Sequence, residues 1–173
     1  MSLISRLLQP FAFVRALARL KMGDAGHNYR LCHRLYTRGM AGAARKLETV
    51  NRFLTGADIS CSAEIGEGLA LPHSGGVVIG GLCVIGRNCV IYQQVTLGYR
   101  GDHDRSDGQP HVGNDVMVGA GAKILGPVKI GDGAVVGANA VVVSDVPAGA
   151  LAVGIPAQVK EGAGAGTSGP TEK

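Results

Sequence analysis

Residues 79–91 read Ile79-Gly80-Gly81-Leu82-Cys83-Val84-Ile85-Gly86-Arg87-Asn88-Cys89-Val90-Ile91. An aliphatic side chain returns every six positions, at Ile79, Ile85 and Ile91. The beat runs back through Leu71, Ile65 and Ile59. It runs on through Leu97, then Val112, Val118, Ile124, Ile130, Val136 and Val142. Four residues after each aliphatic stands a mostly small or β-branched residue: Ala63, Gly75, Cys83, Cys89, Val95, Val116, Ala122, Val128, Ala134, Ala140 and Val146, with Leu69 the bulky exception. Six is a multiple of the strand period of two, so both positions point the same way on short flat strands. Glycine after the aliphatic permits a sharp corner. Three such strands per coil make a triangular prism. The chain is therefore read as mainly β: a left-handed parallel β-helix of hexapeptide repeats, about five coils long.

Composition agrees. The 173 residues include 28 Gly and no Trp, and aromatics make up 4%. An ordinary globular core uses more aromatic volume. The four cysteines, at 32, 61, 83 and 89, form no C-x-x-C pair, which argues against a zinc ribbon or a redox motif. Cys83 and Cys89 fall on the small inward position and read as wall filler.

Charge divides the chain. Residues 1–55 hold ten Lys/Arg and two Asp/Glu, a balance of +8; residues 56–173 hold seven and eleven, a balance of −4. Three segments follow: an N-terminal helical segment at 1–55, the β-helix at 56–160, and a Gly-rich tail at 161–173 expected to be disordered. Within the first, residues 3–21 have apolar residues at helical spacing with Arg6, Arg15, Arg19 and Lys21 among them, and 28–54 reads as a second helical stretch. Two roles stay open for the segment. It is a cap over the open first coil, or a basic amphipathic helix touching an anionic membrane surface. No stretch reaches the ~18 apolar residues of a membrane span. A cytoplasmic chain with reduced thiols is expected, peripheral to the inner membrane face if residues 1–21 make that contact. No nucleic-acid partner is expected.

The repeat breaks twice. Leu71 to Ile79 is eight residues rather than six, and the extra two fall in Pro72-His73-Ser74-Gly75-Gly76. Leu97 to Val112 is fifteen, so nine residues, polar and charged, leave the wall as a loop holding Arg100, His103, Arg105 and Gln109. A plain wall needs neither break, and loops on rigid scaffolds carry function. The first re-aims His73. Asp58 stands fifteen residues earlier, a little under one coil of eighteen, which places it as a candidate partner on the adjacent coil.

These features together, with Gly119-Ala120-Gly121-Ala122-Lys123-Ile124-Leu125-Gly126 and the closing Val153-Gly154-Ile155-Pro156-Ala157, resemble serine acetyltransferases and their relatives over roughly residues 28–160. The resemblance implies a catalytic histidine paired with an aspartate, which land on His73 and Asp58. It implies acetyl-CoA as co-substrate along a prism edge between the subunits of a homotrimer. The matching contact positions are Ala120 and Ala138, with Gly121 and Lys123 beside them. No metal is expected, and a carbonic-anhydrase-like or scaffold β-helix is the competing class.

Two places depart from the family. The aspartate that precedes the family's histidine is Pro72 here, and the Arg-His pair of the family's loop is Gly108-Gln109. The loop pattern resembles instead the O-acetyltransferases of exopolysaccharide clusters, of the colanic-acid type. The expected acceptor is accordingly a sugar hydroxyl, free or lipid-linked, in polysaccharide biosynthesis. L-serine is the alternative, with Arg100, His103 or Arg105 rebuilding a clamp. The family's C-terminal isoleucine, which docks into cysteine synthase, has no counterpart in the final Thr171-Glu172-Lys173.

The chemistry is the same for either acceptor. A hydroxyl is a poor nucleophile near neutral pH and needs a base. Histidine, a residue with an ordinary pKa of ~6.5, suits that task, and a carboxylate behind it fixes its tautomer. His73 is read as the base and Asp58 as its orienting partner, in direct attack on the thioester without an acyl-enzyme. A backbone N–H of Gly75, Gly76 or the loop is the candidate oxyanion donor.

Overall fold

The computed structural model describes residues 12–101 and 108–162. Residues 3–11 of the expected helical stretch 3–21, residues 163–173 of the expected tail 161–173, and His103 and Arg105 lie outside the described residues. Three helical segments come first: α1 at 12–17, α2 (Ala25–Thr37) and α3 (Ala41–Thr55). Fourteen short strands follow and build three sheets.

The first sheet stacks β1 (Asp58–Ile59), β3 (Val78–Ile79), β6 (Thr96–Gly98), β9 (Lys123–Leu125) and β12 (Val141–Val142). The second stacks β2 (Glu64–Ile65), β4 (Val84–Ile85), β7 (His111–Val112) and β10 (Lys129–Ile130). The third stacks β5 (Val90–Ile91), β8 (Met117–Val118), β11 (Val135–Val136) and β13 (Leu151–Val153), with β14 (Gln158–Lys160) closing it antiparallel. Successive strands visit the three sheets in turn, which is the left-handed β-helix the hexad predicts. The repeated aliphatics and the small residues both point inward and form one continuous core. Cys83 and Cys89 are buried in it. Burial pushes the thiols of Cys32, Cys61 and Cys83 up to about 12, which keeps them protonated and unreactive.

Register measures each coil. On the first sheet Asp58 pairs with Val78, Val78 with Thr96, Thr96 with Lys123 and Lys123 with Val141, steps of 20, 18, 27 and 18 residues. The two-residue bulge and the nine-residue loop are the excess over eighteen. A third irregularity has no counterpart in the hexad reading: Val135 pairs with Leu151, a step of only 16. At the corner between the third and first sheets, Gly76, Gln94, Gly121 and Asn139 all have positive φ and stack in one column. A Cβ on Gly121 would run into Asn139 Oδ1 on the next coil, so glycine there meets both the φ and the close approach.

The helical segment differs from its expected outline. Residues 28–54 are not one helix, because the chain turns between α2 and α3 at Gly39, with φ +77°. Asp24 caps α2, its carboxylate accepting from His27 N at 2.8 Å. Gly56 ends α3 in the left-handed conformation, φ 71°. α2 sets Ala25 and Tyr29 into the prism core. The Tyr29 hydroxyl donates to Ala63 O at 2.6 Å, and burial pushes that phenol up to about 12. His33 Nδ1 hydrogen-bonds Cys61 O at 2.9 Å, and Glu48 Oε2 accepts from Cys61 N at 2.7 Å. The backbone of the first coil is thereby satisfied by helical side chains rather than left open. Ala16 of α1 joins Leu31, Leu35 and Leu47 in a second apolar cluster, while Val14 and Leu17 face outward. Among the described residues no helix is long and apolar enough to cross a membrane.

Candidate active site

The bulge folds back on the end of α3. Ser74 Oγ donates to Thr55 O at 3.0 Å, and Gly76 N donates to Gly56 O at 2.9 Å. From above, Gln94 N donates to Gly75 O at 3.0 Å. The turn is fixed on both sides, while His73 within it is exposed. Its imidazole has no hydrogen bond and no ion pair among the described residues. A backbone held on both sides thus presents an exposed ring whose nitrogens have no partner among the described residues.

Asp58 does not contact it. On β1 the inward position belongs to Ile59, so the Asp58 carboxylate points outward and is half-buried. Its Oδ2 accepts from Arg52 Nη1 at 3.1 Å, the one ion pair among the described residues. The expected dyad is therefore not formed in this conformation. The reason is geometric: the local coil takes 20 residues, so Asp58 lies beside Val78 rather than beside His73. The last turn of α3 meanwhile brings Arg52 within reach. Asp58 follows Gly56 by two residues and His73 precedes Gly76 by three, and a rung from Gly76 N to Gly56 O joins the two segments.

The other candidates lie along one prism edge with the bulge. A backbone ladder climbs it: Gln94 N to Gly75 O at 3.0 Å, Gly121 N to Gln93 O at 2.8 Å, and Asn139 N to Ala120 O at 2.8 Å. Ala120 and Ala138 therefore stack on successive coils, with Ala138 exposed. Two coil rises, ~10 Å, separate the bulge from the Ala120 rung. Lys123 Nζ donates to Gln94 O and to Gly121 O, so the ammonium is tied to the edge itself. Among the described residues, Gln93 Oε1 is buried on this edge with no hydrogen-bond partner. Nothing in the hexad signals that orphaned acceptor.

The loop residues part company. Arg100 is exposed, and its stem lies over Gly126, whose added Cβ would stand 3.4 Å from Arg100 Cβ. Gln109 is not a substrate-loop residue. It is 4% exposed, and its Oε1 accepts from Leu82 N at 2.9 Å and Cys83 Sγ at 3.4 Å. The chain is already re-entering the wall there, with Pro110 buried and β7 starting at His111. The amide fills space beside Gly80.

Residues 109–144 match the family described as bacterial transferase hexapeptide (six repeats). A serine acetyltransferase of Helicobacter pylori is 48% identical over 126 residues, 73% of this chain and 73% of that protein. One from Staphylococcus aureus is 42% identical over 132 residues, 76% of this chain and 62% of that protein. The chain belongs to the serine acetyltransferase family. Among solved structures, soybean serine acetyltransferase superposes with a TM-score of 0.76 at 41% identity, covering 79% of this chain and 56% of that one. The Neisseria gonorrhoeae serine acetyltransferase does so at 0.75 and 42%, covering 79% and 52%. This chain thus spans a little over half of those two solved chains. It is an acyltransferase.

The sugar-acceptor expectation is overturned by these relatives, all named for serine, and the polysaccharide resemblance goes with it. Its physical basis is the lost charge at Pro72 and Gly108-Gln109. A clamp is a property of space rather than of two fixed positions. Gln109 is inside the wall, its amide oxygen engaged by Leu82 N and Cys83 Sγ.

Proposed function

We propose that the protein is a serine O-acetyltransferase, moving acetyl from acetyl-CoA to the hydroxyl of L-serine. The observation that carries this is the 48% identity to a serine acetyltransferase across 126 residues. A third solved serine acetyltransferase, in complex with CoA, matches at 38% identity and a TM-score of 0.73, which supports the donor.

His73 takes the proton of the serine hydroxyl as that oxygen attacks the thioester carbonyl. A C–O bond forms, the C–S bond breaks, and the proton passes from His73 to the departing CoA sulfur. Asp58 is a positioning residue. It turns from Arg52 to the imidazole and stabilises its charged form. The Arg52–Asp58 pair is 51% and 40% exposed, so exchanging it costs at most ~1 kcal/mol. Acetyl-CoA lies along the edge of Ala120, Gly121, Lys123 and Ala138, where small residues let it approach the backbone. Arg100, with His103 and Arg105, takes the serine carboxylate. The working unit is a homotrimer with each site between two subunits.

The test is thiol release from acetyl-CoA, with the product identified by mass. L-serine should stimulate release and yield O-acetylserine. Release driven by other hydroxyl compounds but not by L-serine would overturn the assignment.

A further inference from the structure

The helical segment contains a site that acetyl transfer does not use. A groove of about 340 Å³ runs between α1 and α2. Ala12, Ala16, Leu31 and Leu35 form its apolar lining, together with Arg15, Arg19, Arg34 and Arg38. Arg15 lies on α1 and Arg19 in the turn just after it, Arg34 lies in the last turn of α2 and Arg38 is its C-cap, and all four line the same groove. All four are exposed, and none has a carboxylate within ion-pairing distance among the described residues. Between residues 12 and 47 the only acidic side chain is Asp24, and it is engaged as the cap of α2.

Ordinary helix electrostatics explains part of this. Arg34 and Arg38 sit at the C-terminal end of α2, where a cation meets the helix dipole favourably. That does not explain why a second pair, from α1 and the turn after it, lines the same groove. Four guanidinium groups cannot be relieved by deprotonation. They repel one another unless an anion lies between them. A guanidinium fork matches phosphate oxygens in pairs, and an apolar floor strengthens such pairs by lowering the local dielectric. The volume suits a small ligand.

We propose that this groove binds a phosphate-bearing anion with two or more negative charges. The anion is either a soluble phosphorylated compound or the headgroup of an anionic phospholipid. The site is independent of the acetyl-transfer edge.

The probe for the soluble source is inorganic pyrophosphate, titrated against the full chain with CoA saturating, so that the coenzyme's own phosphate contacts are occupied. At low salt it should raise Tm by about 2–4 °C, and the rise should vanish in the Arg15→Gln/Arg34→Gln double variant. The probe for the lipid source is co-sedimentation with phosphatidylglycerol vesicles, with phosphatidylcholine vesicles as control. Binding to the former alone, lost in the same variant, identifies the headgroup. Serine-dependent turnover of the double variant should match the parent chain, which also shows that it folds. The proposal is overturned if neither probe binds, or if either binds equally well after both arginines are removed.

Discussion

The two interruptions of the repeat look alike in sequence and behave differently in space. Each adds residues to one coil, two at 71–79 and nine at 97–112. The short one is pinned from below and above, through Ser74 to Thr55, Gly76 to Gly56 and Gln94 to Gly75. The long one is pinned at its roots, where Gly126 N donates to Gly98 O at 2.9 Å and Gln109 reaches Leu82. A two-residue excess leaves the wall no room to do anything but redirect one corner. A nine-residue excess is described only at its roots, where it leaves and rejoins the wall at Gly98 and Gln109. The first can hold a reacting group in place; the second can vary with the acceptor. On the proposed function, the division of labour between base and specificity follows from how much chain each break adds.

The sharpest way to break this comparison is His73→Ala. The ring is exposed and makes no hydrogen bond or ion pair among the described residues, so stability should stay within ~0.5 kcal/mol of the parent. Loss of the base should lower kcat by about 10²–10⁴. Urea unfolding and steady-state kinetics on one preparation separate the two. A variant that keeps near-normal turnover removes His73 from the mechanism and leaves the bulge unexplained.

Gln109→Ala tests the other interruption, with the opposite sign of dependence. Here the side chain is buried and the Leu82 N–H loses its acceptor. The expected cost is about 1–3 kcal/mol, measured as a lower urea midpoint. If Gln109 anchors the loop root rather than binding acceptor, kcat should hold while KM for L-serine rises. An unchanged midpoint with a collapsed kcat would return Gln109 to the substrate.

Most of the wall is legible in the sequence because its register is covalent. The residue spacing from Leu71 to Ile79, and from Leu97 to Val112, by itself gives the 20- and 27-residue coils. The closing 16-residue coil is not legible, because the beat is hidden by Ser144-Asp145-Val146-Pro147, where the aliphatic comes early. Gln109 misleads because a polar residue in a polar run looks solvated. Its burial depends on Leu82 N needing an acceptor across the prism, which no local pattern records. The Asp58–His73 pairing assumes an eighteen-residue coil in the one place where the bulge lengthens it. The acceptor misleads for a related reason: charge is lost at two aligned positions, while two positions in sequence do not record what charge the fold gathers from elsewhere.

Arg52 is the smallest and most informative perturbation, because it decides whether Asp58 belongs to the cap or to the bulge. In the observed state the carboxylate is shared with α3 through a half-exposed ion pair. Such a pair is worth ~0–1 kcal/mol, so Arg52→Ala should barely move the unfolding midpoint. If Asp58 works by turning to His73, removing its competitor should leave kcat unchanged or raise it. Asp58→Asn should lower kcat, by less than His73→Ala does. The double variant Arg52→Ala/Asp58→Asn should then equal Asp58→Asn alone, since Arg52 acts only through that carboxylate. A fall in kcat for Arg52→Ala as large as that for Asp58→Asn would show instead that the ion pair itself holds the bulge in its working shape. The cap would then be part of the catalytic apparatus, and not merely a lid on the first coil.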